Sequence, residues 1–162
     1  MRNTMRLIGV DEAGRGPVLG PLVVGLLSIP KEDEYMLEEQ GIEDSKHLSH
    51  AKRKLHYEWL NQQVTERGWY ADTIICKPNR IDNAVYAKGL NILEVDLFAS
   101  ILNRHHRLFT QELEILLDAC DVNEKRFSNR ISERLNGWPW LKTEMIAEHK
   151  ADTNHRIVGG AS

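Results

Sequence analysis

The sequence predicts a single α/β domain, because apolar runs typical of strands alternate with helical repeats. Short apolar runs at residues 7–10, 21–29 and 114–119 are typical of buried strands. Apolar residues recur at helical spacing over residues 49–66 and 91–109, between those runs. The length of 162 residues is enough for one domain with a buried core. We therefore expect one domain over the whole chain.

Composition is typical of a soluble globular protein. Hydrophobic residues make up 41% of the chain and charged residues 28%, which argues against a disordered chain. No apolar run approaches the roughly 18 residues that a membrane-spanning helix needs, and residues 1–6 lack the apolar region of a signal peptide. Cys76 and Cys120 match no CxxC pattern, so we expect buried thiols in a reducing compartment. These features predict a cytoplasmic protein.

The first predicted strand, residues 7–10, ends in two adjacent carboxylates. Asp11 and Glu12 start on opposite sides of the strand because side chains alternate, so one projects into a site at the strand end while the other reaches it from the turn. Gly-Arg-Gly-Pro follows at residues 14–17. Its glycines allow close approach of a ligand, and Arg15 offers a planar fork of donors for phosphate. The alternative is an ordinary strand and turn with surface charges.

The following region predicts a second strand and two helices. The connection from the first strand to residues 21–29 is short and rich in Gly and Pro, which predicts a hairpin. A short acidic helix over residues 31–40 is expected to end at Gly41. Ser49 is the expected N-cap of a helix that runs to about residue 66. The predicted buried stripe of that helix consists of Leu55, Trp59, Leu60 and Val64.

Gly68 lies where the C-cap of this long helix belongs. His105-His106 indicates a mildly basic helix end rather than a metal pair, because adjacent helical residues point about 100° apart. Trp138 and Trp140 are expected to pack a loop rather than stack on a base. The remaining expected elements are a strand at residues 69–76, a short helix at 80–85, a long helix at 91–109, a strand at 114–119, a helix at 124–135 and a strand at 143–148.

Net charge is −3, so the whole chain is not a generic binder of polyanions. Positive side chains nevertheless crowd residues 46–54. This basic strip either faces phosphates or forms the solvated face of a helix. Its members are Lys46, Lys52, Arg53 and Lys54, joined by His47 and His50.

Carboxylates follow three of the predicted strands at their C-terminal ends. These are Asp11 with Glu12, then Asp118, then Asp152. Ligands gather at such ends in α/β sheets, so four carboxylates converge if the strands are neighbours. Their mutual repulsion then calls for cations, and hard oxygen ligands favour two Mg²⁺ or Mn²⁺ ions. Asp121 is an alternative to Asp118 as the metal ligand of this segment, although its position also suits the cap of the following helix. The simpler alternative is that all these residues are unrelated surface acids.

With these residues identified, the chain resembles the type 2 ribonucleases H (ribonuclease HII), in the archaeal and eukaryotic branch rather than the bacterial one. The resemblance spans nearly the whole chain, and its motifs occur in the family's order. The motifs are GVDEAGRGPVLGP at residues 9–21, DSKHL at 44–48, DACDV at 118–122 and EHKAD at 148–152.

The resemblance implies a ribonuclease H-like fold, with a mixed five-stranded sheet flanked by helices. It implies a divalent-metal-dependent endoribonuclease that hydrolyses the RNA strand of RNA–DNA hybrids. Such an enzyme also nicks 5′ of a ribonucleotide embedded in duplex DNA, leaving 3′-hydroxyl and 5′-phosphate ends. A role in ribonucleotide excision during DNA replication and repair follows from that activity.

The resemblance also implies roles for particular residues. Ser45 and Lys46 lie in a motif that is near the substrate backbone in the family. The Gly-Arg-Gly segment is expected to recognise the ribose 2′-hydroxyl, which distinguishes RNA from DNA, and to grip adjacent phosphates; its members are Gly14, Arg15 and Gly16. The catalytic acids, which hold two Mg²⁺ or Mn²⁺ ions, are Asp11, Glu12, Asp118 and Asp152.

The chain departs from the family pattern at its C-terminal end. Family members continue beyond the segment at residues 157–162 into a helical region that supplies a junction-stacking tyrosine and duplex-holding basic residues. This sequence ends there, and Gly159 and Gly160 weaken a helix start. We therefore expect a C-terminally shortened fold with reduced junction selectivity and duplex affinity. We also expect self-association through apolar surface that the further region would cover.

Two other functions compete with the nuclease. One is a catalytically impaired nucleic-acid-binding remnant of the same fold, which metal-dependent turnover would exclude. The other is a nucleotide-binding module whose loop at residues 14–16 cradles phosphates. That module would leave Asp118 and Asp152 unexplained, and the chain lacks the usual glycine-rich nucleotide patterns.

Overall fold

We describe the fold from a computed structural model of the chain. The structure describes residues 5–13, 21–42, 49–77, 90–109 and 112–161. The short helix predicted at residues 80–85 lies outside these ranges.

Five strands form one mixed sheet in the order β3-β2-β1-β4-β5. The central strand β1 runs antiparallel to β2 and parallel to β4. β2 and β3 are antiparallel, whereas β4 and β5 are parallel. The predicted hairpin and the predicted mixed five-stranded sheet are confirmed. The strands are β1 (Arg6–Ala13), β2 (Leu22–Pro30), β3 (Tyr70–Cys76), β4 (Leu113–Asp118) and β5 (Thr143–Glu148).

Helices flank the sheet, and their ends match the capping signals in the sequence. The Ser49 side chain accepts a hydrogen bond from the Lys52 N–H at 3.2 Å, and Gly68 adopts the left-handed conformation that ends the same helix. No helix of the described part is long and apolar enough to span a membrane. The helices are α1 (Glu34–Glu39), α2 (His50–Arg67), α3 (Leu90–Leu108), α4 (Glu124–Glu133), α5 (Ala151–Asn154) and α6 (Arg156–Ala161).

The two faces of the sheet carry separate apolar clusters. Ile8 and Val10 of β1 belong to the cluster on the face covered by α3 and α4, which we call the α3 face. Leu7 belongs to the cluster on the opposite face, which includes Ile157 and Val158 of α6 and which we call the α6 face. This division follows from the alternation of side chains along β1. It also determines the side of the sheet on which each residue at the end of β1 lies.

Helix α6 packs closely on the sheet because the strands beneath it carry glycine. A Cβ at Gly9 would lie 2.4 Å from the Ile157 carbonyl oxygen, so any larger residue would push the helix away. Gly159 and Gly160, which we expected to weaken a helix start, both lie inside α6. Packing of the buried residues of α6 on the sheet outweighs their low helix propensity.

The buried stripe of α2 differs from the prediction at its first position. Leu55 is 62% exposed, whereas His56 and Gln63 are buried. The buried face of α2 therefore begins at His56, one residue later than predicted. The other three predicted residues, Trp59, Leu60 and Val64, are partly buried against the α6-face cluster, as expected.

The prediction that His105 and His106 form a mildly basic helix end is wrong for His105, which is buried, whereas Arg107 beside them is exposed. The His105 side chain is fully buried, and its Nε2 lies 2.7 Å from Ser28 Oγ. Burial lowers the pKa of His105 to about 3, which keeps the ring neutral. His106 stacks on Trp140 with 3.9 Å between ring centroids, so the predicted packing role of this tryptophan is confirmed. Both cysteines are buried free thiols, as predicted.

Candidate metal centre at the carboxyl ends of the strands

The sheet topology brings three of the predicted acids to one edge. β1 and β4 are parallel, and Val10 is the register partner of Leu117, so Asp11 and Asp118 follow at neighbouring strand ends. β5 lies parallel on the other side of β4, and α5 begins three residues after β5 ends. Asp152 is the second residue of α5. The connection from β5 therefore delivers Asp152 to the same edge.

Asp11, Asp118 and Asp152 form a compact cluster. One carboxylate oxygen from each lies within 4.8 Å of the other two. Asp11 is 1% exposed and Asp152 is 4% exposed. Two backbone donors orient the cluster: the Glu12 N–H donates to Asp11 Oδ1 at 2.7 Å, and the Ala151 N–H donates to Asp118 Oδ1 at 3.1 Å.

The cluster crowds three carboxyl groups at one edge of the sheet, two of them buried. Burial raises the pKa of Asp11 to about 9, and the neighbouring Asp118 carboxylate contributes to the rise. Among the described residues, no donor forms a hydrogen bond to the buried Asp11 Oδ2. A buried carboxylate oxygen without a donor, beside two other carboxylates, fits a divalent cation with hard oxygen ligands. The residues present therefore suit Mg²⁺ or Mn²⁺.

Glu12, the fourth predicted acid, lies in a different group. Because side chains alternate along β1, Glu12 is on the α3 face whereas Asp11 is on the α6 face. Ligand atoms of Glu12, Glu94 and Cys120 lie within 4.8 Å of one another. The structure thus brings three of the four predicted acids together and places the fourth on the other side of the end of β1.

Glu94 is the buried acid that our sequence reasoning missed. It lies on α3 with no exposed surface. A signal was present, because Glu94 falls at helical spacing from Phe98 and Ile101, which belong to the apolar repeat that predicts the helix at residues 91–109. His105 continues the same stripe, so the spacing also indicated that it is buried.

Asp121 does not belong to the aspartate cluster. Its buried carboxylate accepts a hydrogen bond from Arg126 Nε at 2.8 Å, and Arg130 lies 3.7 Å away. The hydrogen bond from Arg126 lowers the pKa of Asp121 to about 2. The helix cap is Asn123, whose side chain accepts from the Arg126 N–H at 2.9 Å. Asp118 is therefore the acid of this segment that joins the cluster.

The segment that carries Asp152 is tied to its neighbours. The His149 N–H donates to Glu124 Oε2 at 2.6 Å, and His149 Nε2 lies 2.7 Å from the Asp121 carbonyl oxygen. His155 Nε2 lies 2.9 Å from Glu148 Oε2 at the end of β5. These contacts on both sides of α5 restrict the position of Asp152.

The predicted substrate-binding residues lie outside the described ranges. The part of the basic strip that the structure describes is on the first turn of α2. There Lys52, Arg53 and Lys54 are exposed to solvent. This placement fits the solvated-face alternative for these three residues. The residues outside the described ranges are Gly14, Arg15, Gly16, Ser45 and Lys46.

Comparison with known proteins identifies a family. The model of the ribonuclease HII family matches residues 8–162. A curated ribonuclease HII from Methanococcus maripaludis strain C6 is 37% identical over 156 residues, which cover 96% of this chain and 62% of that protein. The chain thus spans about six tenths of the length of this relative.

Two solved structures share the fold. The ribonuclease H2 of Pyrococcus horikoshii OT3 superposes with a TM-score of 0.76 at 34% identity, over 97% of this chain and 68% of that one. The ribonuclease HII of Archaeoglobus fulgidus, solved in complex with PCNA, gives a TM-score of 0.77 at 30% identity, over 96% of this chain and 68% of that one. The predicted ribonuclease H-like fold and the archaeal likeness are confirmed.

Proposed function

This chain belongs to the ribonuclease HII family, and from that premise we propose that it is a divalent-metal-dependent endoribonuclease. It cuts the RNA strand of RNA–DNA hybrids and nicks duplex DNA 5′ of an embedded ribonucleotide, leaving 3′-hydroxyl and 5′-phosphate ends. The observation that carries this proposal is the cluster of Asp11, Asp118 and Asp152 at the carboxyl ends of the strands. Ribonucleotide excision in the cytoplasm is the role we assign to the activity.

The aspartate cluster would hold the metal, with Glu12 as the fourth acid. When bound, two Mg²⁺ or Mn²⁺ ions activate water and stabilise the attacking and leaving oxygens of a phosphoryl displacement. The fit rests on the buried Asp11 Oδ2, to which no described donor forms a hydrogen bond. The ions would also offset the burial and, after it, the neighbouring Asp118 carboxylate, which together raise the pKa of Asp11.

The protein's own contribution is to fix these oxygens before the substrate arrives. Backbone N–H groups hold one carboxylate oxygen of Asp11 and one of Asp118, and the second oxygen of Asp11 has no hydrogen-bond donor among the described residues. The contacts around α5 restrict Asp152 in the same way. A prearranged set of ligands avoids reorganisation during the reaction.

The substrate contacts in this proposal rest on family likeness. Gly14, Arg15 and Gly16 recognise the ribose 2′-hydroxyl and the adjacent phosphates, and Ser45 and Lys46 contact the substrate backbone. The partner is thus an RNA–DNA hybrid or a ribonucleotide-containing duplex. Self-association of the chain stays a prediction.

A cleavage assay on a labelled DNA duplex with one ribonucleotide tests the proposal. The chain is assayed with Mg²⁺, with Mn²⁺ and with chelator, beside Asp11→Asn and a control, Asp96→Asn. Asp96 lies on α3 and pairs with Arg134 at 2.8 Å, so its loss should leave cleavage unchanged. We expect a metal-dependent nick 5′ of the ribonucleotide that Asp11→Asn abolishes.

Two results would contradict the proposal, the first by removing its metal site and the second by removing the nuclease activity. Cleavage that persists in chelator, or in Asp11→Asn, would remove the aspartate cluster from the reaction. Duplex binding without cleavage, from a folded chain with either metal, would favour the impaired nucleic-acid-binding remnant.

A further inference from the structure

A side-chain hydrogen bond closes the segment of chain that carries Asp152. His155 Nε2 lies 2.9 Å from Glu148 Oε2, so the last residue of β5 contacts the residue that directly follows α5. A carboxylate only accepts hydrogen bonds, so the imidazole is the donor. The bond joins the two ends of the segment at residues 149–154, and Asp152 lies within this closed segment.

The Glu148 end of the segment is fixed beside Asp118. Glu148 is the register partner of Asp118 in the parallel pair of β4 and β5. Its carbonyl oxygen accepts a hydrogen bond from the Ala119 N–H at 2.8 Å. The sheet therefore holds the backbone of Glu148 next to one of the three clustered aspartates.

The His155 end of the segment is the junction of two helices. The His155 N–H donates to the Ala151 carbonyl oxygen at 2.8 Å, which closes the single turn of α5. The His155 carbonyl oxygen accepts from the Val158 N–H at 3.1 Å, at the start of α6. Val158 is fully buried against the sheet. The His155 side chain thus connects the turn that carries Asp152 to the end of β5.

We propose that Glu148 is a positioning residue of the metal centre, which holds His155 and thereby fixes the distance between the Asp118 and Asp152 carboxylates. This inference rests on the proposed function, in which both aspartates bind the metal. Loss of the bond would free the C-terminal end of α5 to move relative to β5, so Asp152 would shift relative to Asp118. Groups that orient metal ligands typically change metal affinity when they are removed.

The alternative is that Glu148 and His155 form an ordinary surface ion pair. Their side chains are 37% and 32% exposed, and pairs that reach solvent contribute little to stability. An ordinary pair affects Mn²⁺ binding only through charge. Loss of the carboxylate should then weaken binding of a cation, whereas loss of the imidazole should leave it unchanged or strengthen it. A positioning role predicts instead that both losses weaken it.

The test measures Mn²⁺ affinity of the purified chain from the electron paramagnetic resonance signal of free Mn²⁺. Thermal unfolding in chelator is measured in parallel. We expect Glu148→Ala and His155→Ala each to weaken Mn²⁺ binding by about 10-fold, the lower end of the range for groups that support metal ligands. Because the pair is partly exposed, both unfolding temperatures should stay within about 4 °C of the wild type.

Two further variants separate the hydrogen bond from the charge. Glu148→Gln loses the charge, but its amide oxygen still accepts from His155 Nε2, so its Mn²⁺ affinity should stay within about threefold of the wild type. Because the two residues act through one bond, the double variant Glu148→Ala, His155→Ala should bind little worse than either single variant.

The matched control is an ion pair at the opposite end of the same two strands. Glu112 precedes β4, and its Oε1 lies 3.2 Å from Nζ of Lys142, which precedes β5. Glu112→Ala removes a carboxylate and an ion pair, as Glu148→Ala does, but it does not touch the segment that carries Asp152. It should bind Mn²⁺ like the wild type.

Wild-type Mn²⁺ affinity in Glu148→Ala or in His155→Ala would overturn this inference. An affinity of Glu148→Gln as low as that of Glu148→Ala would also overturn it, because charge would then account for the effect. A loss of affinity that follows a matching loss of stability would overturn it as well. No Mn²⁺ binding by the wild-type chain would instead contradict the proposed function, so the two failures are distinguishable.

Discussion

The two ends of β1 each bury an ionisable side chain, but the ends differ in how that side chain is compensated. At one end the buried Arg6 donates to Ser28 Oγ at 2.9 Å, to the Ser28 carbonyl at 3.1 Å and to the Gly68 carbonyl at 3.2 Å. Its guanidinium group also lies 4.2 Å from the Phe109 ring centroid. At the other end Asp11 lies against two more carboxylates, and no described donor bonds to its Oδ2.

This difference separates a structural polar group from a functional one. Arg6 lies among acceptors and an aromatic face, so its end of the sheet is complete without a ligand. The Asp11 end concentrates like charges, which lowers stability unless a cation is present. Activity that depends on such a site is commonly obtained at the expense of stability. The following predictions test this contrast, from the largest expected effect to the smallest.

Removal of the Arg6 guanidinium should have the largest effect on stability. Arg6→Met removes the donor to two buried acceptors of Ser28 and to the partly buried Gly68 carbonyl, so we expect a loss of about 3 kcal/mol in the free energy of unfolding. Urea denaturation at pH 7.5 measures it. Arg107→Met, at an exposed position of α3, is the control and should change stability by less than about 0.5 kcal/mol. A loss below about 1 kcal/mol for Arg6→Met would show that its end of the sheet does not depend on these bonds.

Low pH should lower the free energy of unfolding through His105, which is buried at the Arg6 end of β1. The folded-state pKa of His105 is lowered to about 3 from an ordinary 6.5, by burial first and then by the positive charges of Arg6 and His106. The unfolded chain therefore binds more protons between these two values, so stability is full above pH 6.5 and falls as pH decreases. From pH 7.5 to pH 5 this residue should account for a loss of about 2 kcal/mol.

The matched variant for this effect is His105→Gln. The wild type and the variant have the same carboxylates, so the difference between their stabilities at the two pH values is due to His105. Urea denaturation at pH 7.5 and pH 5 should show a smaller loss for the variant by about 2 kcal/mol. Parallel profiles would mean that His105 does not titrate as its burial implies.

The Asp11 end should respond in the opposite direction to removal of its charge. In chelator at pH 8, Asp11→Asn should raise the free energy of unfolding by about 1 kcal/mol or more, because burial raises the pKa of Asp11 to about 9 and its carboxyl must take up a proton on folding. The amide is neutral in both states and can donate to Asp118. Asp96→Asn, which loses an ion pair instead, should show no gain. Destabilisation by Asp11→Asn would indicate that the Asp11 carboxylate is already well compensated without metal.

Much of the fold was predictable from local sequence patterns. The bounds of β5 match the predicted strand at residues 143–148, and the caps of α2 at Ser49 and Gly68 were predicted from residue type and position. The order of the strands was not visible in any local pattern, and the expectation of a mixed sheet came from family likeness. The close packing of helix α6 over Gly9 was not predictable, because helix propensity does not report contacts with the sheet.

Acidic residues at strand ends were predictable from the sequence, whereas buried polar residues on helices were not. Asp11, Asp118 and Asp152 were found because each follows a strand. Glu94 and His105 were not predicted, because a polar residue among the apolar residues of a helix is ordinarily assigned to its solvent side. Their burial depends on partners distant in sequence, such as Ser28, which is 77 residues from His105.

The most direct test of the central claim is thermal unfolding with and without Mn²⁺. On the proposed function, the aspartate cluster binds metal only in the folded state, where the three residues come together, so saturating Mn²⁺ should raise the unfolding temperature of the wild type. A concentration near 100 times the dissociation constant corresponds to about 2.7 kcal/mol. Asp11→Asn should show no such rise, while Asp96→Asn should match the wild type. No rise for the wild type, or an equal rise for Asp11→Asn, would contradict a metal centre at the carboxyl ends of the strands.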